Sequence, residues 1–182
     1  MIYVYIVYMG AGILPTALYK GKLWFLFGKE NQYETSAPGF SDFGGGTEQG
    51  ESLLETAIRE GGEELTGFLG SDTQLRSLLR RPYIIDNASE TYRTHIFRME
   101  YDPHLVKYYN NTQRYIQKRL SASIIKNVRI FEKAEIRWIC IDELQRMKPK
   151  FRHFYVETID HILANQSEIA KFIRKPYTRK NR

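Results

Sequence analysis

The sequence predicts a single α/β domain over residues 1–182. A nearly continuous apolar run at Lys22–Phe27 has the composition of a strand that is covered on both faces. Apolar residues then recur at near-helical spacing over Glu51–Leu65, which indicates a helix with one buried face. A late strand at Ile136–Ile141 precedes a long amphipathic helix at Phe154–Ile173. This alternation of strands and helices, without a repeat or a Ser/Gly linker, favours one α/β domain.

The remaining elements follow from the same periodicities and from turn residues. Further strands are expected at Tyr3–Tyr8, Ile13–Leu18, Arg80–Asp86 and Thr91–Tyr101. A turn is expected at Gly21-Lys22, and a polar loop that contains a Pro-Gly pair is expected at Glu30–Gly39. Phe40–Gly46 leads into three consecutive glycines, where the backbone must bend or approach another group closely.

Composition and charge exclude several classes of protein. Hydrophobic residues make up 42% of the chain and charged residues 26%, which is the balance of a globular protein and not of a disordered one. The single cysteine, Cys140, excludes an internal disulfide framework and a zinc site built from several thiolates. No apolar run reaches the ~20 residues of a membrane-spanning helix, so we expect no membrane partner and a reducing, cytoplasmic location. The net charge of +6 favours a polyanionic partner.

Basic residues concentrate in two segments. The segment at about 104–133, predicted to be a helical insertion, carries many Lys and Arg side chains and a single acidic residue, Glu132. The chain end at about 174–182 is also basic, and we expect it to fray. The first segment includes Tyr108, Tyr109 and Tyr115, which could stack on bases, and is a candidate for RNA binding, although charge runs are more often solvated surfaces and tyrosines at this spacing more often pack inward.

Three glutamates in the predicted helix at 51–65 give the clearest chemical signal. Residues at positions i, i+3 and i+4 share a helix face, so Glu60, Glu63 and Glu64 are expected to project their carboxylates to one side. Like charges at this spacing need a cation nearby, and hard oxygen ligands suit Mg²⁺ or Mn²⁺. The neighbouring Gly61-Gly62 pair costs ~1 kcal/mol per residue relative to Ala in a helix interior, which indicates a close approach of helix and sheet.

These glutamates belong to a stretch that resembles the Nudix box, G-x5-E-x7-R-E-U-x-E-E-x-G-U, in which U is a bulky aliphatic residue. The box is the signature of enzymes that hydrolyse a nucleoside diphosphate linked to another moiety. Six fixed positions of the pattern are filled, by Gly45, Glu51, Arg59, Glu60, Glu63 and Glu64. Two positions differ, since Gly61 replaces the aliphatic residue and the closing glycine, Gly67, comes one residue late. We therefore expect a lengthened or bulged helix end.

The resemblance extends to the segments around the box. Similar stretches occur at Ala11–Pro15, Leu23–Glu30, Ser41–Gly45 and Glu135–Leu144. The resemblance implies the Nudix fold, an α/β/α sandwich around a mixed sheet, with the basic helical insertion outside the family plan. The sequence is also similar to Nudix proteins of large DNA viruses, which implies a location in the host cytoplasm.

The resemblance also implies a divalent metal ion as cofactor, either Mg²⁺ or Mn²⁺. The implied ligands are Glu60, Glu63 and Glu64, with the carbonyl of Gly45 as a further one. The ion would neutralise the diphosphate, polarise a phosphorus atom and lower the pKa of an attacking water.

Catalytic roles are implied for the other box positions. Arg59 would orient a carboxylate through a charge-assisted hydrogen bond, and Glu51 would brace the loop. Glu60 or Glu64 is the expected general base, and Glu135, outside the box, is another candidate.

The implied reaction is hydrolysis of a phosphoanhydride bond, with capped mRNA as the expected substrate. A diphosphoinositol polyphosphate and a nucleoside di- or triphosphate are the alternative substrates. Four cations are candidates for binding such a polyanion: Lys29, Arg93, Lys118 and Arg119. A non-catalytic Nudix-fold module that binds RNA or a nucleotide is the alternative from another class, although such modules usually lose box carboxylates.

Overall fold

The computed structural model describes residues 10–31, 38–128 and 132–175. The strands in these ranges are β1 (Gly10–Tyr19), β2 (Lys22–Glu30), β3 (Phe40–Ser41), β4 (Phe43–Gly46), β5 (Tyr83–Asp86), β6 (Tyr92–Arg98) and β7 (Lys133–Cys140). The α-helices are α1 (Leu53–Glu64), α2 (Asp72–Leu78), α3 (Pro103–Gln117), α4 (Ala122–Val128), α5 (Ile141–Met147), α6 (Val156–Ala164) and α7 (Gln166–Arg174). The strand predicted at Tyr3–Tyr8 and the tail from residue 176 onward lie outside the described residues.

The strands form one mixed sheet, as expected. Its main path is β3-β2-β1-β6-β5, while β4 pairs with β1 and β7 pairs with β2. β1 and β6 are parallel, and the other pairs of neighbouring strands are antiparallel. Lys20 and Gly21, with φ values of 49° and 78°, form the tight turn between β1 and β2, one residue before the predicted position.

Helices cover both faces of this sheet. On one face, Phe25 and Phe27 are fully buried in a cluster that includes residues of α5, α6 and α7. On the other face, Leu26 and Ile13 pack in a cluster with residues of α1, α2 and α3. Successive residues of a strand point to opposite faces, so the continuous apolar run of β2 supplies both layers. The predicted α/β/α sandwich is confirmed.

α1 lies close against β1. The helix begins at a capping box, in which the hydroxyl of Ser52 accepts a hydrogen bond from the N–H of Glu55 (3.3 Å). At its other end, Gly61 faces Ile13: a Cβ at position 61 would stand 2.3 Å from Cδ1 of Ile13. The close approach predicted from the glycine pair is therefore confirmed at Gly61.

α1 ends at Glu64, so the expectation of a lengthened or bulged end is wrong. Thr66 has a φ of 49° and takes the left-handed conformation at the position where the box pattern has glycine. The N–H of Thr66 bonds to the carbonyl of Glu63 (2.9 Å), and the N–H of Gly67 bonds to the carbonyl of Gly62 (3.1 Å). These two bonds form a Schellman motif, which ends the helix without a glycine at its left-handed residue.

Two helical regions differ from the expectation. α2 was not predicted, because a seven-residue helix whose one buried residue is Leu75 shows no apolar periodicity. The single long helix expected at Phe154–Ile173 is wrong, since the chain forms a short 3₁₀ turn and then α6 and α7, which meet at Asn165. The side chain of Asn165 donates a hydrogen bond to the carbonyl of His161 (2.9 Å), one of the last carbonyls of α6, and so caps the C-terminal end of that helix. None of the helices in the described ranges is long and apolar enough to cross a membrane.

α3 covers the outer edge of β7. The side chain of Asn110 accepts a hydrogen bond from the N–H of Ile136 (2.8 Å) and donates one to the carbonyl of Ile136 (3.0 Å). These are the two backbone groups of Ile136 that a neighbouring strand would otherwise bind.

Tyr109 is fully buried, so the expectation that it could stack on a base is wrong, whereas Tyr108 and Tyr115 are exposed. The hydroxyl of Tyr109 donates to the carbonyl of Glu64 (2.7 Å), so α3 also contacts the end of α1. The helical prediction at 104–133 corresponds to α3 and α4, but it is wrong for Lys133, which is a fully buried strand residue.

The packing at Gly61 leads to a stability prediction. Gly61→Ala should lower the free energy of unfolding by ~1–3 kcal/mol, because the added methyl group overlaps Ile13 in a closed core. Gly62→Ala is the matched control, since a Cβ there would meet the exposed end of Asp72 at 3.3 Å, and it should stabilise the protein by up to ~1 kcal/mol. Denaturant unfolding measures both values. A Gly61→Ala variant as stable as Gly62→Ala would contradict the close contact.

Candidate active site

Glycines allow the start of the box to contact the box helix. β4 pairs with β1 so that Gly45 lies opposite Ala11. A Cβ at Gly45 would stand 2.5 Å from the carboxylate of Glu60, so a side chain at position 45 would displace that group. A Cβ at Gly44 would stand 2.3 Å from the hydroxyl of Tyr92. The consecutive glycines are therefore explained by close approach on both faces of β4.

Arg59 joins the other box residues. Its Nε donates to Oε1 of Glu51 (2.7 Å), and its Nη2 donates to Oε2 of Glu51 (3.0 Å) and to the carbonyl of Gly46 (2.9 Å). Its Nη1 donates to Oε1 of Glu60 (2.7 Å) and lies 3.5 Å from Oε2 of Glu63. The bonds from Arg59 hold the pKa of Glu51 down to about 2. Arg59 thus joins Glu51, Glu60 and the carbonyl of Gly46, and the roles that the resemblance implies for Arg59 and Glu51 stay predictions.

The three glutamates of α1 have different surroundings. The side chain of Glu63 is 62% exposed, that of Glu60 is 13% exposed, and that of Glu64 is 4% exposed. Burial raises the pKa of Glu60, and the hydrogen bond from Arg59 opposes this rise. The carboxylates do not share one solvent-facing surface as the spacing predicts, because Glu64 points into the junction of α1 with β4 and β7.

Glu64 enters a buried ion cluster. Its Oε2 accepts from the N–H of Gly44 (2.9 Å), and its Oε1 lies 3.0 Å from Nζ of Lys133. Lys133 also pairs with Glu30, which accepts from Nη1 of Arg152 (2.7 Å). Burial alone would lower the pKa of Lys133, but the carboxylates of Glu64 and Glu30 outweigh burial and raise it. We call Glu30, Glu64, Lys133 and Arg152 the Lys133 cluster.

Oxygen donors suited to a divalent cation lie at Glu60 and Glu63. Both carboxylates approach the same nitrogen of Arg59, and Glu60 also lies against Gly45. These hard oxygens fit Mg²⁺ or Mn²⁺, and the buried carboxylate of Glu64 lies beside the same strand, against Gly44. In the part of the chain that the structure describes, no three or more His, Cys, Asp or Glu side chains are arranged to hold a metal ion. The four-residue ligand set stays a prediction.

A cleft of about 450 Å³ opens beside the ends of β2 and β7. Lys29 and Glu135 are directly paired across these strands and therefore share a face of the sheet. Two further cations, Arg137 and Lys150, also line the cleft. The other lining residues are Pro38, Gly39, Phe40, Met147, Pro149 and Phe151. The cleft thus brings together two of the residues singled out in the sequence, Lys29 and Glu135.

The other three predicted substrate-binding cations do not line this cleft. Arg93 donates twice to the carboxylate of Asp86 on β5, at 2.6 and 2.9 Å. Lys118 and Arg119 follow the end of α3 and are exposed, and the guanidinium of Arg119 lies 3.7 Å from the ring centre of Tyr115. The structure therefore separates the four predicted cations into three places.

Sequence reasoning missed the Lys133 cluster and a further buried acid, Asp42. Asp42 lies between β3 and β4 and accepts hydrogen bonds from the hydroxyls of Tyr92 (2.8 Å) and Thr94 (2.9 Å). Burial raises the pKa of Asp42 to about 6, against the effect of these bonds. The available signal was an acidic residue within the otherwise apolar and glycine-rich segment Phe40–Gly46.

Comparison with known proteins shows the fold. No protein-family model matches the sequence, and no curated protein matches it. The Nudix hydrolase RenU from M. smegmatis is similar with a TM-score of 0.50 and 14% identity, over 89% of this chain and 88% of RenU. A C. elegans Ap4A hydrolase binary complex is similar with a TM-score of 0.51 and 12% identity, over 90% of this chain and 97% of the hydrolase.

A third similar structure is a bifunctional NMN adenylyltransferase/ADP-ribose pyrophosphatase from Francisella tularensis, in complex with AMP and a manganese ion. Its TM-score is 0.53 at 14% identity, and the match covers 87% of this chain but only 42% of that protein. At these identities the likeness concerns architecture alone. The chain has the Nudix fold, and the prediction made from the box residues is confirmed at that level.

Proposed function

We propose that this chain is a divalent-metal-dependent hydrolase that cleaves a phosphoanhydride bond by attack of water. The observation that supports this most strongly is the contact of the Glu60 carboxylate with Gly45, which Arg59 fixes in place. A surface helix does not require a half-buried carboxylate against a glycine strand, so this arrangement favours a chemical role. Solved structures with this fold include an Ap4A hydrolase and an ADP-ribose pyrophosphatase.

Glu60 is the proposed acceptor of the water's proton. Arg59 fixes one carboxylate oxygen at 2.7 Å and β4 confines the group, so its position is set before the substrate binds. Burial raises the pKa of Glu60 and the hydrogen bond from Arg59 opposes this rise. Glu135, another candidate from the sequence, shares a sheet face with Phe25 and Phe27, on the side that α5–α7 cover and opposite α1, so Glu60 is preferred.

Glu60 and Glu63, with the carbonyl of Gly45, are the groups that we propose to hold Mg²⁺ or Mn²⁺. Glu63 is mostly exposed, so it can reach an ion without moving a buried group. When bound, such an ion neutralises the diphosphate and polarises its phosphorus.

The proposed substrate is a nucleotide-containing polyanion, and the capped end of mRNA is the specific case. Lys29, Arg137 and Lys150 supply positive charge for phosphates along one cleft. Phe40 and Phe151 also line it, but they are only 4% and 5% exposed and belong to the core, so they offer little surface to a base. The cations of the cleft therefore support a polyanionic substrate of either kind, a nucleotide or an inositol polyphosphate.

The solvent face of α3 offers a surface for an RNA chain. His104, Tyr108, Tyr115 and Arg119 recur at helical spacing, and both tyrosine side chains are exposed. The rings of His104 and Tyr108 stack with centroids 6.2 Å apart. Exposed rings interleaved with cations bind single strands by stacking and by charge. We propose that this surface of α3 binds the RNA chain that follows the cap.

A hydrolysis screen tests the function. Purified protein is incubated with Mg²⁺ or Mn²⁺ and capped RNA, a dinucleoside polyphosphate, a diphosphoinositol polyphosphate or a nucleotide panel. Glu60→Gln keeps the size of the side chain and the bond from Arg59 but removes the base, so kcat should fall by ~10²–10⁴-fold without a change in melting temperature. Release of a capped nucleoside diphosphate by wild-type protein alone would support decapping.

Other results of this screen have distinct meanings. Equal turnover by wild-type protein and Glu60→Gln would contradict the proposed role of Glu60. Selective loss of the β-phosphate from the diphosphoinositol polyphosphate would identify that compound, and not a nucleotide, as the substrate. Binding of RNA or nucleotide without hydrolysis would indicate a non-catalytic module.

Charge reversal tests where the substrate binds. Lys29→Glu with Arg137→Glu should raise KM at least ~10-fold for every polyanionic substrate, because phosphates would face repulsion in the cleft. Lys118→Glu with Arg119→Glu should raise KM for capped RNA only, since a short nucleotide does not extend to α3. Steady-state kinetics at two salt concentrations measures both.

The matched control for this test is an equal charge change on α7, Lys171→Glu with Arg174→Glu. Both residues are exposed, and neither lines the cleft. If the α7 variant raised KM as much as the cleft variant, net charge and not the cleft would account for the effect, and the assignment would be wrong.

A further inference from the structure

We propose that Tyr92, a residue outside the box, is a positioning residue for the candidate active site. Together with Asp42 it holds the glycines of β4 against α1, and so sets the place where the carboxylate of Glu60 meets Gly45. The catalytic consequence rests on the proposed function, because it concerns the position of Glu60 in that reaction. The contact between β4 and α1 can be measured without it.

The side chain of Tyr92 crosses β1 and reaches β4. β1 pairs with β6 and with β4, so that Gly12 lies opposite Thr94 of β6 and opposite Gly44 of β4. A Cβ at Gly12 would stand 2.5 Å from the hydroxyl of Tyr92, and a Cβ at Gly10 would stand 3.1 Å from Cδ2 of the ring. The ring therefore lies over glycines of β1, and a side chain at Gly12 would displace its hydroxyl.

The hydroxyl of Tyr92 links β6 to the start of β4. It lies beside Gly44, since a Cβ there would stand 2.3 Å from it, and it donates a hydrogen bond to Oδ1 of Asp42 (2.8 Å). The hydroxyl of Thr94 donates to the other oxygen of Asp42, Oδ2 (2.9 Å). Both donors belong to β6 and the acceptor directly precedes β4, so side chains join these two strands across β1.

Further groups surround the carboxylate of Asp42, which is fully buried. The hydroxyl of Tyr155 lies 3.3 Å from that of Thr94. The positive charges of Lys133 and Arg152 partly offset the rise that burial causes in the pKa of Asp42. Several elements therefore fix this carboxylate, and a hydroxyl bonded to it has a fixed partner.

Aromatic residues that precede α6 cover the ring of Tyr92. The ring centroid lies 5.2 Å from that of Phe154 and 6.4 Å from that of Tyr155, and both contacts are edge to face. Glycines of the sheet lie on one side of the Tyr92 ring and these two rings lie on the other. Close packing on both sides therefore holds the ring in place.

The glycines of β4 contact α1 as well. The N–H of Gly44 donates to Oε2 of Glu64 (2.9 Å), and the carboxylate of Glu60 occupies the place that a side chain at Gly45 would take. Successive residues of a strand face opposite sides of the sheet, so Tyr92 at Gly44 and Glu60 at Gly45 lie on opposite faces of β4. Glycine has the widest backbone freedom and no side chain to pack. The position of this strand therefore depends on its neighbours on both faces.

Hydrogen exchange at the Gly44 amide, followed by NMR of protein labelled with ¹⁵N-glycine, tests the inference without measuring activity. Tyr92→Phe keeps the ring but removes the hydroxyl, so Asp42 loses a donor and a void forms beside Gly44. Exchange at Gly44 should become at least ~10-fold faster, whereas exchange at Gly28 of β2 should change less than ~3-fold. An unchanged rate at Gly44, or an equal change at Gly28, would overturn the inference.

Tyr83→Phe is the matched control, because it removes the same atom from a strand that does not touch β4. Tyr83 lies on β5, which β6 and β1 separate from β4. Its hydroxyl lies 3.5 Å from Nε2 of His161, and its ring packs against Phe172. Exchange at Gly44 should stay within ~3-fold of the wild-type rate. A Tyr83→Phe variant that speeds this exchange as much as Tyr92→Phe would overturn the inference.

A double variant tests whether the hydroxyl of Tyr92 acts through Asp42. In an Asp42→Ala background Tyr92→Phe has no hydrogen bond to remove, so it should speed exchange at Gly44 by less than a further ~3-fold. A further ~10-fold effect in this background would overturn the joint role of the two residues. Tyr92→Phe alone decides the inference if Asp42→Ala does not fold.

Steady-state kinetics separates the failure of this inference from the failure of the proposed function. Tyr92→Phe should lower kcat at least ~10-fold and change KM less than ~3-fold, because Glu60 is misplaced while the cations of the cleft are not. An unchanged kcat, or a loss confined to KM, would overturn the positioning role. Wild-type protein that hydrolyses no substrate would overturn the proposed function, and exchange at Gly44 would still decide whether Tyr92 holds β4.

Discussion

The arrangement around the box helix depends on the neutralisation of its crowded carboxylates by the protein's own cations. Arg59 holds Glu51 and Glu60, and Lys133 holds Glu64. A buried carboxylate without a partner costs several kcal/mol, so the junction of α1, β4 and β7 requires the buried lysine. Glu63 is mostly exposed and Glu60 is partly accessible. The cations of the protein therefore allow several carboxylates to lie close together at one helix before any ligand binds.

At the end of β2, consecutive residues belong to the cleft and to the Lys133 cluster. Lys29 lines the cleft, and Glu30 joins Lys133 and Arg152 in the buried cluster. Phe151, the residue before Arg152, also lines the cleft. Residues that line the proposed substrate cleft are therefore sequence neighbours of the ion cluster that contacts the end of α1. In the same way, α3 contacts α1 through the bond from Tyr109 to the Glu64 carbonyl.

The sequence was sufficient to predict what depends on local spacing. The interval from Gly45 through Glu51 and Arg59 to Glu60 identified the box, and the structure brings those four residues together. The division of the last predicted helix at Asn165 was missed, because apolar residues continue at helical spacing across the break. The ion pair of Glu64 could not be predicted either. It joins distant elements and depends on a one-residue shift of β7, which no local pattern reports.

The central claim is that the carboxylates fixed by Arg59 and β4 at the box helix hold a divalent metal ion. The most direct measurement is an anomalous-difference map, recorded at the manganese absorption edge, of crystals grown with Mn²⁺. We expect a manganese peak bonded to oxygens of Glu60 and Glu63. A map without manganese density at these carboxylates would contradict the account.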